Sequence, residues 1–194
     1  MKVGDFYISP GNIKVQFPLV NVGAALDCPS AKWCPFSKGN YKKAGRNLCY
    51  AQRTEILRPN VLKSRRINAS LIKDGKVSAT DVADTIAKHF DKRGAPYGRI
   101  VRLNESSDLS AENINWVVSL INELNTRGIK VYLYSKAPQV IQDLARAAGA
   151  TVLHSERDFI AVKNTADTEL PICPGICGPC LRCPLGMRSA ILEH

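Results

Sequence analysis

Four cysteines near the carboxyl end of the chain have a spacing typical of a metal-binding site. They lie within eleven residues and are separated by three, two and two residues, at Cys173, Cys177, Cys180 and Cys183. A structural zinc site usually takes its ligands from two Cys-x2-Cys pairs that are about a dozen or more residues apart. A cubic iron–sulfur cluster tolerates one tight run of thiolates that ends in Cys-Pro, as Cys183-Pro184 does. We therefore predict a [4Fe-4S] cluster here, with zinc as the alternative.

A second and looser set consists of three more cysteines, Cys28, Cys34 and Cys49. Three thiolates can hold a cluster and leave one iron open to a small molecule, or a fourth ligand can come from elsewhere in the chain. Free cysteines are among the most buried residue types, so three buried thiols are the alternative. An odd total of seven cysteines argues against a full disulfide framework. The sequence leaves open whether the chain binds one cluster or two.

The positive charge of the chain is concentrated around this second set. The net charge is +10, and residues 28–66 contain ten Lys and Arg residues against a single acid, Glu55. Such a local excess attracts a polyanion, and the interleaved Trp33, Phe36, Tyr41 and Tyr50 can stack on bases. We predict nucleic-acid binding, DNA or RNA, with a solvated basic face as the alternative. The expected contacts are Lys38, Lys42, Lys43, Arg46, Arg53, Lys63, Arg65 and Arg66.

Length and composition predict one globular domain. A chain of 194 residues can bury a substantial core, and 45% hydrophobic with 23% charged residues is typical of folded proteins. No run of eighteen apolar residues occurs, and residues 1–5 lack the basic start and apolar block of a signal peptide. We therefore expect a cytoplasmic protein with reduced thiols and no membrane contact. The expected domain spans 1–191, with a basic loop at 28–66, a cluster-binding segment at 171–186 and a purification-tag remnant at 192–194.

Apolar periodicity and turn residues predict alternating strands and helices. The predicted strands cover residues 12–22, 98–103, 129–134 and 151–154. The predicted helices cover residues 49–57, 60–72, 80–90, 108–127 and 138–148. Thr80 and either Asp108 or Ser110 are the expected caps of the third and fourth helices. Strand–helix alternation with short connections implies an α/β fold with a mostly parallel sheet.

Chemically reactive side chains follow each predicted strand. The first strand leads into the Cys28 to Cys49 loop, the second into 104–108, the third into Ser135 and Lys136, and the fourth into 154–157. Because the carboxyl ends of parallel strands meet at one edge of a sheet, we expect these groups to converge there. The alternative role for Asp108 is a helix cap, and the alternative for Lys136 is a solvated turn residue.

The order of these motifs resembles a known phage family. The chain contains Cys28-Pro, Cys34-Pro and Cys49-Tyr-Ala, then Arg102-Leu-Asn-Glu-Ser-Ser-Asp and the closing four-cysteine run. In that order the motifs resemble the family called gene product 88. The Cys-Tyr-Ala, Ser-Ser-Asp-Leu and Tyr-Ser-Lys-Ala-Pro segments are also similar to phage proteins related to radical SAM enzymes. The resemblance implies a partial TIM-type, radical-SAM-like barrel with a cluster at its mouth, in a phage protein of the host cytoplasm.

The convergence of these groups at one edge of the sheet also predicts a candidate pocket beside the first cluster, lined by Arg102, Glu105, Ser135 and Lys136. Radical SAM chemistry would require S-adenosylmethionine (SAM) as a further ligand. The Cys-x3-Cys-x2-Cys spacing of those enzymes is absent after the first strand and occurs only within the closing run. A Gly-Gly-Glu-like segment for the SAM amine is also absent. SAM is therefore a weakly supported cofactor, and the sequence does not decide whether the protein is an enzyme.

Three functions are consistent with the sequence. The first is an iron–sulfur protein of radical-SAM-like fold that binds nucleic acid and carries out redox or radical chemistry, with one cluster on each cysteine set. The second is a non-catalytic nucleic-acid-binding module with a structural cluster. The third is a zinc-stabilised phage protein that acts on a host partner.

Overall fold

The computed structural model describes residues 1–32, 34, 49–154, 159–162 and 164–192. The strands, in chain order, are β1 (Lys2–Val3), β2 (Phe6–Tyr7), β3 (Leu19–Val20), β4 (Ile100–Leu103), β5 (Lys130–Ser135), β6 (Thr151–His154), β7 (Phe159–Val162) and β8 (Ser189–Leu192). The α-helices are α1 (Tyr50–Leu57), α2 (Pro59–Lys73), α3 (Ala79–Arg93), α4 (Ile114–Thr126), α5 (Gln139–Ala147) and the single turn α6 (Cys177–Cys180). Short 3-10 turns cover Ala25–Asp27, Pro29–Lys32 and Thr165–Asp167.

The central sheet has four parallel strands in the order β3, β4, β5 and β6. This order confirms the predicted α/β fold with a parallel sheet, since each strand lies beside the next one along the chain. Over the described residues the sheet is open, and two separate two-stranded sheets, β1–β2 and β7–β8, accompany it. The closed or partial barrel that the resemblance implied is therefore not shown.

The first predicted strand is much shorter in the structure than in the sequence prediction. Only Leu19–Val20 pairs with β4, whereas the backbone at Lys14 and Val15 bends around the side chain of Asn12, whose Oδ1 accepts both their N–H groups. An asparagine that bonds backbone groups two and three residues ahead favours a turn over a strand. Pro18, which has no N–H to donate, lies directly before the paired residues.

Two predicted helix caps are also corrected. The third helix begins at Ala79, and its cap is Ser78 rather than Thr80, because the Ser78 hydroxyl accepts from the Thr80 and Asp81 N–H groups. The fourth helix begins only at Ile114. Neither Asp108 nor Ser110 caps it, since the Asp108 carboxylate is bound to groups from other segments, as described below.

The two faces of the central sheet have different partners because side chains alternate along each strand. One face carries Val101, Leu103, Val131 and Leu133 in the main apolar core, which includes buried residues of α3 and α4. The opposite face carries Ile100, Tyr132 and Leu153, which pack with Phe17 and with Cys183 of the carboxyl-terminal segment. We call the second of these the inner face. It is covered by the Cys-rich segment and the loop before β3, not by the α3–α4 layer.

The Cys-rich segment is fixed to the rest of the chain by backbone hydrogen bonds. Cys173 N donates to Ala190 O at 2.7 Å, and Cys177 N donates to Lys14 O at 2.7 Å. Strand β8 pairs in parallel with β7 as far as Leu192, which is opposite Val162. Leu192 is thus part of a strand, and the purification-tag remnant at 192–194 stays a prediction. In the described part of the chain, the helices are all too short or too polar to cross a membrane.

Candidate metal centres

Three thiols meet at the carboxyl edge of the central sheet, and we call them the rim group: Cys28, Cys34 and Cys49. Cys28 follows the turn Ala25–Asp27, Cys34 follows the turn Pro29–Lys32, and Cys49 directly precedes α1. Burial raises the pKa of the Cys28 thiol to about 12, with smaller contributions from Asp108 and from the other two thiols. Burial also raises the pKa of Cys49, and Cys34 adds to the effect. Cys34 therefore lies close enough to Cys28 and Cys49 to contribute to their raised pKa values.

Asp108 joins the rim group to the end of β5. Its buried carboxylate accepts hydrogen bonds from the Ser30 hydroxyl at 2.7 Å, from the Lys136 backbone N at 2.8 Å and from the Ser135 hydroxyl. Ser30 lies between Cys28 and Cys34 in the chain. Asp108 therefore fixes the turn that carries two of the thiols against the loop that follows β5.

Lys136 brings a positive charge to the rim group. Its Nζ donates to the Cys34 Sγ at 3.7 Å, a contact across 102 residues of sequence. The residue is partly buried, so the alternative role as a solvated turn residue does not hold. The contact therefore places a cationic donor directly beside one of the three thiols.

A second buried carboxylate, Glu55 of α1, holds the turn before Cys28. It accepts from Ala25 N at 2.7 Å and Leu26 N at 2.9 Å, and it pairs with Arg65 Nη1 at 2.9 Å. Arg65 also pairs with Glu105 at 3.2 Å and is only 6% exposed. Arg65 was predicted to contact nucleic acid, and this is corrected: it is an internal cation that ties α2 to α1 and to the loop after β4.

The other four thiols, which we call the inner group, lie at the inner face of the sheet: Cys173, Cys177, Cys180 and Cys183. Burial raises the pKa values of Cys177 and Cys183, and the neighbouring thiols of the group raise them further. The four side chains therefore lie close to one another. The Tyr134 hydroxyl donates to Cys183 Sγ at 2.6 Å. Burial raises the pKa of Tyr134, so this phenol stays protonated and remains a donor. Leu181, at a φ of 52°, reverses the chain between Cys180 and Cys183.

Two buried hydrogen-bond donors that belong to or face the inner group, Arg102 Nε and Arg182 Nη1, lack an acceptor among the described residues. The Tyr132 hydroxyl faces the Cys177 thiol and acts on it as a hydrogen-bond donor. Arg102 and Tyr132 are directly opposite each other in the β4–β5 register. Buried polar groups in folded proteins are nearly always hydrogen-bonded, and sulfur ligands of a metal typically accept such bonds. An anionic, sulfur-rich group held by the four thiols would supply acceptors for these donors.

The structure shows the thiols gathered but not in a formed coordination sphere. Over the described part of the chain, no group of three or more His, Cys, Asp or Glu side chains is in position to hold a metal ion. All seven cysteines are free of disulfides. The chemistry of the donor set nevertheless fits an iron–sulfur cluster or zinc, because both select thiolate ligands.

Each of the four predicted pocket residues already has a structural partner. Glu105 pairs with Arg65, and the Ser135 hydroxyl donates to Asp108. Lys136 contacts Cys34, and Arg102 lies on the inner face with its Nη2 3.4 Å from the Tyr50 hydroxyl. Lys136 contacts a rim thiol directly, and a pocket lined by the four residues stays a prediction.

Asn104, directly after β4, is a site residue that the sequence analysis did not single out. It is 4% exposed, has a φ of 56°, and both polar atoms of its side chain lack partners among the described residues. Ser107 in the same loop has a φ of 65°. Left-handed backbone at residues other than glycine is costly and clusters at functional sites. The only sequence signal was that asparagine tolerates this conformation better than most residues.

Only some of the predicted nucleic-acid contacts lie within the described residues. Arg53 and Lys63 are exposed, whereas Arg66 is half-exposed and makes two hydrogen bonds to Asp27, at 2.6 and 2.8 Å. An open groove on α2 is lined by Pro59, Leu62, Lys63, Arg66, Ile67 and Ser70. The expected contacts outside the described residues are Lys38, Lys42, Lys43 and Arg46. The aromatic residues outside them are Trp33, Phe36 and Tyr41.

Together these features define an α/β protein with a four-stranded parallel sheet and two groups of cysteines that form no disulfides. The chain belongs to the Gene product 88 family, whose model matches residues 9–154. The match includes the rim group and ends before the inner group. No curated protein and no solved structure has significant similarity to the chain. The similarity to radical SAM-related proteins therefore has no support from these comparisons.

Proposed function

We propose that this protein is an iron–sulfur protein with two thiolate centres that binds nucleic acid through the exposed cations of α1 and α2. The observation that carries the metal proposal is the gathering of all seven cysteines into two groups at a single sheet. The cysteines span residues 28–183 of the chain, and buried thiols that served only as small apolar residues would have no reason to meet.

The inner group supports a cluster with four protein ligands. Four thiols within eleven residues suit a compact polynuclear group, and the donors Tyr134, Tyr132 and Arg102 lie where sulfur acceptors would be. A cluster of this kind supplies one-electron transfer or structural stabilisation. Zinc is the alternative occupant, since it binds the same thiolates.

The rim group supports a centre that is one thiol short of four. Three cysteines leave one position to a non-cysteine ligand or to a small molecule, and SAM is one such molecule. The rim centre is where redox or radical chemistry would occur, because it lies at the carboxyl edge of the sheet beside Asn104 and Lys136. If the fourth position is filled by the chain itself, the protein is a binding module with structural clusters.

Nucleic-acid binding is supported by the charge distribution on α1 and α2. Arg53, Arg58 and Lys63 are exposed, and the acid within this segment, Glu55, is buried against Arg65. These three cations are therefore presented to solvent. Phosphate contacts from such cations give binding that weakens steeply with salt and depends little on sequence.

The deciding experiment is the quantification of iron, zinc and acid-labile sulfide in protein purified without oxygen. We expect about four irons and four sulfides for each cubane, hence about eight of each per chain. An EPR spectrum of the reduced protein that changes on addition of SAM would identify an open iron. A spectrum that does not change would favour the binding module, and zinc without iron would overturn the iron–sulfur proposal.

A further inference from the structure

Asn104 differs from the other buried polar side chains that the structure describes, because both of its polar atoms lack a hydrogen-bond partner. No other described side chain leaves more than one buried atom unpaired. The residue is only 4% exposed and directly follows β4, at the carboxyl edge of the sheet. Burying a donor or an acceptor without a partner costs free energy, and Asn104 incurs this cost at both atoms. An amide that contributes no hydrogen bond to the fold is available to a ligand.

The loop that carries Asn104 is strained but firmly held. Asn104 and Ser107 have φ values of 56° and 65°, in the left-handed region that costs free energy at residues other than glycine. Between them, the Ser106 hydroxyl donates to Gly23 O at 2.9 Å, and Ser106 N donates to Asn21 Oδ1 at 3.0 Å. The loop after β4 is thus fixed to the loop after β3, while the Asn104 amide takes no part in this bonding. A rigid frame around an unbonded amide is what a preorganised binding group requires.

The chemistry of a carboxamide limits what Asn104 can bind. Its oxygen accepts and its nitrogen donates, side by side in one plane. A phosphate or a carboxylate can satisfy only the nitrogen, and a metal ion can satisfy only the oxygen. The edge of a nucleobase satisfies both atoms at once, because it presents a donor next to an acceptor, as adenine does to asparagine in protein–DNA complexes. A nucleobase is therefore the ligand class that fits both unpartnered atoms of Asn104.

Asn104 lies next to the surface that we propose for nucleic acid. Tyr50, the first residue of α1, donates its hydroxyl to Glu105 O at 2.8 Å, so its side chain reaches the residue after Asn104. Tyr50 is 57% exposed, and the exposed cation Arg53 follows it by about one turn of α1. An exposed aromatic ring beside basic side chains can stack on a base of a single strand. A strand whose phosphates contact Arg53 therefore passes the loop that holds Asn104.

We propose that Asn104 and Tyr50 form a base-recognition site for single-stranded nucleic acid, in which Tyr50 stacks on one base and Asn104 bonds to its edge. This inference rests on the proposed function, because it names the group of the nucleic acid that the protein reads. It goes beyond phosphate contacts, which carry no sequence information. It also places the bound base at the edge of the sheet where the rim group lies.

The test is the affinity of the full-length protein, purified without oxygen, for abasic single strands that carry one central base. That base is each of the four in turn, and a fully abasic strand is the reference. The wild-type protein should bind its preferred base at least about tenfold more tightly than the least favoured one. Asn104→Gly should bind the four bases alike, because the hydrogen bonds to the base edge are lost, and should still prefer any base to none.

Variants of Tyr50 separate stacking from recognition of the base edge. Tyr50→Leu removes the aromatic ring and should lower the affinity for all four bases several-fold, to near that for the fully abasic strand. Tyr50→Phe keeps the ring and should retain most of the preference for a base over none. Similar losses in the two variants would show that the ring does not stack on a base.

Unfolding in urea adds a readout that a merely structural asparagine would not reproduce. Asn104→Gly removes the unpaired amide and suits the positive φ, so its urea midpoint should equal or exceed that of the wild type. Asn68 is the matched control, since it is buried and its side chain makes three hydrogen bonds to backbone groups. Asn68→Ala should lower the midpoint and leave the base preference unchanged. Asn113→Ala, which removes two hydrogen bonds, takes its place if Asn68→Ala does not fold.

The outcomes distinguish this inference from the proposed function. Equal affinities for the four bases in the wild type, or a base preference that survives Asn104→Gly, would overturn the base site, and the amide would then bind only water. A large fall of the urea midpoint in Asn104→Gly would also overturn it, since the amide would then serve the fold. Salt-dependent binding of the abasic strand would in each of these cases retain the proposed nucleic-acid binding. A protein that binds none of the strands would overturn both.

Discussion

Asp108 and Ser30 are joined by a 2.7 Å hydrogen bond between segments that lie 78 residues apart in the chain. The same carboxylate oxygen also accepts from the Lys136 backbone N. Because Ser30 lies between Cys28 and Cys34, this one side chain sets the position of two thiols relative to β5. A residue expected to cap a helix instead holds the rim group together.

Asp108→Asn should weaken both the fold and the rim centre. One carboxylate oxygen accepts from the Ser30 hydroxyl and Lys136 N, and the other accepts from the Ser135 hydroxyl and Leu109 N. An amide nitrogen in place of either oxygen therefore leaves one backbone N–H without its acceptor. We expect the free energy of unfolding to fall by about 1–3 kcal/mol. Metal analysis should show loss from the rim group and retention at the inner group. Asp143→Asn, at an exposed pair with Arg146, is the control and should change neither quantity.

Glu55→Gln should be strongly destabilising. The substitution removes the main countercharge of Arg65 and weakens the hydrogen bonds to the turn that precedes Cys28. Breaking a buried ion pair in this way costs about 3–5 kcal/mol, which urea unfolding would detect. Glu123→Gln, which removes a partly exposed partner of Arg127, should cost at most about 1 kcal/mol. Equal effects of the two variants would show that the Arg65 network has no special role.

Neutralising the exposed cations of α1 and α2 should weaken nucleic-acid binding without unfolding the protein. For Arg53→Gln/Lys63→Gln we expect the slope of log affinity against log salt to become shallower by about two, roughly one for each lost phosphate contact. Lys88→Gln/Lys92→Gln on α3 removes the same charge from exposed sites outside the basic segment. An equal loss of affinity in this control would indicate a response to net charge and not a binding surface.

Metal removal should loosen the Cys-rich segment before the rest of the fold. Cys183 is buried, but Ile176, Leu185 and Met187 are 45–61% exposed, so apolar burial contributes little to holding residues 171–186. Metal binding supplies folding free energy to such segments. Hydrogen exchange should therefore accelerate in this segment after chelation, while α4, whose apolar face is fully buried, keeps its protection. Equal protection before and after chelation would contradict a metal at the inner group.

The parallel sheet was predictable because its signal is local. Apolar runs near Ile100 and Val131 indicate strands, and the apolar residues between them recur with the period of a helix and are bounded by capping residues. The first strand was overestimated because Asn12 diverts the backbone into a turn, and a side-chain hydrogen bond of this kind has no periodicity. Strands β7 and β8 were missed because their pairing joins segments about thirty residues apart.

The sequence indicated which residue types belong to the candidate site, but not which side chains bond to one another. The spacing of the cysteines indicated two sets, and the position of Lys136 after β5 placed it at the rim. No pattern showed that Arg65 is buried between two carboxylates, since Arg65 and Arg66 are adjacent and look alike in sequence. Their different roles follow from the helix, which turns one side chain inward to Glu55 and the other outward to Asp27.

The central claim is that the seven cysteines form two separate metal centres, and iron per chain in two variants tests it most directly. Cys49→Ser disrupts only the rim group, and Cys180→Ser disrupts only the inner group. If the claim is correct, each variant purified without oxygen should keep about half of the wild-type iron and sulfide, with a different EPR signal remaining in each. If either variant keeps all of the iron, or if either loses all of it, the chain does not hold two independent centres.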